Sequence, residues 1–423
     1  MPDNPVRINS REELIYLLSE AAEVEHGVMC SYLFAAFSMK DGAADGLTER
    51  QLDAVRRWKK DLLAICAQEM AHLSLACNML TAVGAAPQFR RPNFPQGSRY
   101  YPPGFSLALN PFNQRTLQHF IFLERPEGMG MDDPPIFEEA EAAPAAPVVS
   151  SDVTAEPRGF ATIGELYHGI EDGFRKLADR LGEEGLFIGP PRAQATTVYF
   201  NFPELIAVTD LASAIEACET IVEEGEGARG DWEAAHYGRF MRMQEEYERL
   251  KREDPNFEPA RPVLANPFTR VPSDSQDVNL LDEPFSVEVC DLFDDCYEIL
   301  LQMLARFFAH TEESEDELKA LVNAAINAMF TVIEPLGVYA TTLPAGPSHP
   351  GLNAGPGFHF FRTVHTLPHR HAAWLFFQER LRELSLYSAE LAGRPDGGPV
   401  LGRVASALER LADNLAAEME SRD

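Results

Sequence analysis

The sequence predicts an all-α protein: a four-helix bundle followed by a second helical domain, with irregular Pro/Gly-rich connections. Apolar residues recur at steps of three and four through long stretches of both halves. Helix-start signals precede several of these stretches, as in Ser10 with Glu13 and Thr48 with Gln51. Two of the apolar stripes also carry Glu-x-x-His, whose one-turn spacing lets both side chains reach a single ion inside a bundle.

The first helix is expected from Ser10 to about Met39, and the loop KDGAADGLT follows it. The second begins near Thr48 and stops before Gly84. Residues 85–115, rich in Pro, Gly and Tyr, read as an ordered irregular connection, and their aromatic part, NFPQGSRYYPPGF, as a pocket wall. The Ala/Pro/Glu-rich stretch 134–159 reads as a mobile excursion. Thr162 and Glu165 open a third long helix ending near Gly182. Short strands are expected in FIGPPRAQATTVYFNFPE, a short helix over 208–224, and another from Asp231 to about Arg252. Residues 1–252 thus form the metal-binding bundle and 253–283 a polar linker. Residues 284–423 form a C-terminal helical domain, with helices near 284–310, 314–336, 368–392 and 400–421.

Composition narrows the function classes. Hydrophobic residues make up 45% of the 423, enough for a sizeable core. Lys plus Arg number 36 against 66 Asp plus Glu, a formal charge of −30, which argues against nucleic acid and anionic membranes as partners. The six cysteines form no Cys-x-x-Cys pair and read as small core residues. The N-terminus has no signal-peptide pattern and no window of about twenty apolar residues stands out, so a cytoplasmic location is expected.

Leu62, Ile65, Glu69, His72, Ala76 and Leu80 share one helix face. An ionised carboxylate on such a face is costly unless paired or metal-bound. Glu25 sits the same way among Leu18, Ala21, Val28 and Tyr32, and the midpoint of 25 and 69 is Leu47, inside the loop. An antiparallel hairpin therefore sets the two acids side by side. The second pair, Glu233-x-x-His236, precedes Phe240, Met243 and Tyr247 on one stripe. For the remaining acid, Glu223 lies across the GEGARGD turn from His236, while Glu171 shares a stripe with Tyr167 and Phe174. Glu219 and Glu226 read as solvated charges, and Glu124 and Glu127 in FLERPEG as part of a turn. His359, His365, His369 and His371 straddle a loop and a helix start, where polar loop histidines are the ordinary case.

Carboxylates with one imidazole per metal suit iron, with manganese as the other possibility. Two ions are expected. A small-molecule substrate and dioxygen or peroxide are the corresponding partners. Tyr32, on the Glu25 stripe, is a candidate hydrogen-bond or electron donor. The rival classes are a ferroxidase or iron-handling protein and a metal-free helical scaffold.

EVEHGVMCSYL, AQEMAHLSLACNMLTAVGAAPQF, FLERPEG, TIGELYHGIEDGF, IVEEGEG and AHYGRF, in that order, resemble the ferritin-like domain of the iminophenylpyruvate dimer synthase type. The resemblance covers about residues 10–250 and implies a non-haem iron bundle in which Glu25, Glu69, His72, Glu223 and His236 match the family's motifs. It also implies an oxidative enzyme of bacterial secondary metabolism, acting on an amino-acid-derived imine or keto acid.

Overall fold

The computed structural model describes residues 6–42, 45–97, 101, 105–133, 160–227, 232–272, 278–309, 312–362, 365 and 368–420. The expected excursion at 134–159 lies outside them. The chain divides into two compact units: residues 1–197 with 202–260, and 198–201 with 261–423.

In the first unit α1 (Arg11–Ser38) and α2 (Glu49–Ala82) form the long hairpin. Ser10 accepts the Glu13 N–H at the start of α1, and Thr48 and Gln51 close a reciprocal capping box on α2. Helices α3 (Gln114–Leu123), α4 (Ile163–Leu181), α5 (Glu183–Leu186), α6 (Leu211–Gly225) and α7 (His236–Glu253) complete the unit. Helix α1 is apolar nearly all round because it is covered on more than one side. It packs on α2 and α4. Another of its faces meets the irregular segment after α2: Gln88 donates to Glu23, Arg91 to Cys30, and Leu107 stands where a Cβ on Gly27 would be. Residues flanking the aromatic segment therefore cover the face of Glu23, Gly27 and Cys30, a different stripe from that of Glu25; residues 98–100 and 102–104 of the expected pocket wall lie outside the described residues.

Residues 187–204 contain neither helix nor strand. The strands among the described residues are instead Pro267–Phe268 and Asn279–Leu280, a short parallel pair in the second unit. There α8 (Pro284–Ala309), α9 (Glu315–Ala328), a π-turn at Met329–Ile333, α10 (Glu334–Ala340), α11 (Arg370–Ala392) and α12 (Pro399–Glu420) form the helical body. The continuous stretch Glu315–Ala340 is long and apolar enough, by length and composition, to cross a membrane, which the sequence reading did not single out. Half of its most apolar window is buried, and it packs on α8 and α12.

Candidate metal centre

Four helices deliver five ionisable side chains to one buried place: Glu25 from α1, Glu69 and His72 from α2, Glu124 at the C-terminal cap of α3, and His236 at the start of α7. None is more than 4% exposed. Glu69 lies at the middle. Its Oε2 is 3.1 Å from His72 Nδ1 and its Oε1 is 2.9 Å from His236 Nδ1. Glu25 flanks one side, 3.6 Å from His72 Nδ1, and Glu124 the other, 3.7 Å from His236 Nδ1. Two potential ligand groups therefore share one carboxylate: Glu25–Glu69–His72 and Glu69–Glu124–His236, with ligand atoms within 4.8 Å of one another in each.

The outer atoms of the cluster are held in turn. His72 Nε2 meets Glu224 of α6 at 3.0 Å, and His236 Nε2 meets Gln68 at 3.3 Å. Both rings thus turn Nδ1 towards the shared carboxylate, and partners on the far nitrogen set ring orientation and basicity. Tyr32 donates to Glu124 Oε1 at 2.5 Å, with Phe120 and Phe240 packed edge-on against its ring. Burial, and then the charge of Glu124, push the Tyr32 hydroxyl well above its ordinary pKa.

Burial raises the Glu25 carboxyl. Burial also opposes ionisation of Glu69, but the charges of His236 and His72 overcome it and hold this carboxyl low. Burial alone would keep both imidazoles neutral, yet Glu69 lifts His72 well above its usual range and lifts His236 to about 9. These acids call for positive charge. Moreover, Glu25 Oε1 is buried with no hydrogen-bond partner among the described residues, and His236 Nδ1 lies 2.9 Å from Glu69 without hydrogen-bond geometry. Three buried carboxylates and two imidazoles with ligand-bearing atoms left over fit a pair of divalent cations, and the oxygen-rich donor set fits iron or manganese.

Glu25, Glu69, His72 and His236 are brought together as the stripes implied. The other expected acids are not. Glu223 is exposed, and its neighbour Glu224 faces His72 instead. Glu171 pairs with Arg175 at 2.5 Å on its own helix. Glu233 is exposed and precedes α7, so Glu233 and His236 do not share a helical turn. Glu219 is exposed as expected, but Glu226 is buried and accepts the N–H groups of Glu127 and Gly164. Glu124, read as part of a turn, is the acid that completes the cluster. A signal was present: Leu117, Phe120 and Glu124 follow the same three-four spacing that marked Glu25. The four histidines of the second unit do not converge, since His359 is buried beside Asp294 while His365, His369 and His371 are exposed.

The ferritin-like family model matches residues 18–245. The chain is 28% identical to dichlorochromopyrrolate synthase of Lentzea aerocolonigenes, over 97% of this chain and 41% of that protein. It is also 28% identical to 2-imino-3-(indol-3-yl)propanoate dimerase of Chromobacterium violaceum, over 84% of this chain and 34% of that enzyme. The chain therefore spans less than half the length of either relative. A ferritin-like protein of Caulobacter vibrioides superimposes with a TM-score of 0.44 at 19% identity, covering 71% of this chain and 88% of that one. With its family model matched over more than half of the chain, a span that contains the acid–histidine cluster, this chain belongs to the ferritin-like family.

Proposed function

We propose that the protein is a non-haem di-iron oxidative enzyme acting on a small amino-acid-derived imine. The observation that carries this reading is the sharing of Glu69 between two buried three-residue groups. Glu25, Glu69 and His72 would hold one ion, and Glu69, Glu124 and His236 the other. Two bound irons would supply redox electrons and open positions for dioxygen or peroxide. The chain's own work is positioning: Glu224 and Gln68 fix the imidazoles, and Tyr32 fixes Glu124.

The imine rests on the relatives, one of which is named for dimerising an indolyl imino acid. Joining two such molecules through carbon removes two electrons and two protons. One peroxide takes these up to give two waters. The hydroxyl of Tyr32 on Glu124 and that of Tyr167 beside Glu25 are proton-bearing groups next to the acids.

The test is oxidant consumption by the protein from iron-supplemented culture, with imines generated in situ from aromatic amino acids. Substrate-dependent consumption that disappears in Glu69→Ala is expected. Loading of tens of irons per chain without turnover would favour iron storage, and absence of bound metal would favour a scaffold.

A further inference from the structure

One cation stands beside the cluster without belonging to it. Arg239 lies one turn after His236 on α7, with its side chain 15% exposed. Its Nη1 donates to Gln68 Oε1 at 2.8 Å, the same oxygen that lies 3.3 Å from His236 Nε2. Its Nη2 donates to the main-chain oxygen of Asp61 at 2.8 Å. Both acceptors are uncharged. The carboxylate within reach, Asp61 Oδ1, is 3.9 Å away on a side chain that is 56% exposed, so it offsets the guanidinium only weakly. Arg239 is thus oriented by neutral hydrogen-bond partners, and among the described residues its ion-pair partner is the exposed Asp61 at 3.9 Å.

The charge count gives that cation a purpose. Glu25, Glu69, Glu124 and Glu224 bring four negative charges, which two divalent ions would balance. Glu224, with a side chain 21% exposed, is the member of this group most open to solvent. Burial disfavours the charged form of Arg239, and the charges of Asp61 and Glu224 act the other way, which places Glu224 within electrostatic reach of it. Gln68 thus links a partly exposed guanidinium directly to His236 of the cluster. An α-imino or α-keto acid carries its carboxylate next to the carbon that reacts, and a guanidinium can hold such a group by two parallel N–H bonds.

We propose that Arg239 receives the substrate carboxylate and so selects α-imino and α-keto acids over neutral imines and ketones. This rests on the reading of the site as an imine-processing centre. On this assignment Gln68 links the anchor to His236, which sets the distance between the bound carboxylate and the cluster.

The test is binding, measured by calorimetry on the full chain from iron-supplemented culture. Phenylpyruvate serves as a stable stand-in for the imino acid, and its methyl ester as the neutral control. Wild-type protein should bind the acid about 10- to 100-fold more tightly than the ester, the range expected for hydrogen bonds to a charged group. Arg239→Gln should abolish that preference at unchanged metal content, and Arg239→Lys should keep part of it. Equal binding of phenylpyruvate by wild type and Arg239→Gln would overturn the assignment and leave the imine reading standing. Failure of the wild type to bind either compound would overturn both. Should Arg239→Gln not fold, the wild type still decides the matter, because binding acid and ester alike would refute the anchor.

Discussion

Replacing Glu124 separates its two contributions. Its carboxylate faces His236 Nδ1 at 3.7 Å and accepts the Tyr32 hydroxyl at 2.5 Å. Glu124→Ala removes both and strands a hydroxyl on a side chain with no exposed surface. An unsatisfied buried donor costs about 1–3 kcal/mol. Losing the buried Cγ methylene adds roughly 0.8 kcal/mol, so Glu124→Ala should destabilise the chelator-treated protein by about 2–4 kcal/mol. Glu124→Gln keeps the shape and an acceptor for Tyr32, and exchanges a charged hydrogen bond for a neutral one, a difference of about 1 kcal/mol. Both variants should lose one of the two metals, because the Glu25–Glu69–His72 group is untouched. Urea unfolding after chelation and elemental analysis before it measure the two effects separately. Wild-type metal content in Glu124→Gln, with loss in Glu223→Gln, would refute the placement of the cluster.

Two further variants probe the surroundings. Glu224→Gln should weaken metal binding about 10- to 100-fold with the fold intact, since it neutralises the partner of His72 Nε2; a competitive chelator titration reads this. Glu20 on α1 has both carboxylate oxygens buried without a hydrogen-bond partner among the described residues, and burial followed by the charge of Glu23 pushes its pKa from 4.5 to about 7. The folded state therefore binds a proton that the unfolded chain has released, and stability falls as pH rises from about 4.5 through about 7. At about 1.4 kcal/mol per pH unit, Glu20→Gln should gain roughly 3–4 kcal/mol at pH 8, with the two proteins converging below about pH 5 in denaturant titrations.

How far the centre was legible depended on whether a helix continued past the residue in question. Glu25, Glu69 and His72 lie deep within long helices, so a period of 3.6 places them directly. His236 has only its C-terminal side in a helix. Extending the period backwards to Glu233 failed because the chain is not helical before α7. Glu124 was obscured by Pro126, which marks a turn two residues later although the acid still caps the apolar stripe of α3. Glu223 and Glu224 differ by about 100° around the helix. Ala217, Ile221 and Glu224 continue one stripe, a cue that the motif resemblance to Glu223 overrode. Of the histidines of the second unit, His359, His365 and His369 precede α11 and only His371 lies within it, so no shared period fixed their directions, and three of the four face solvent.

The central claim is that Glu69 joins two metal positions, and metal stoichiometry tests it most directly. Protein purified after iron-supplemented expression, without metal added afterwards, should carry up to two irons per chain. His72→Ala and His236→Ala should each reduce the content by about one. Well under one metal per chain in the wild type, or full occupancy in both histidine variants, would contradict the account.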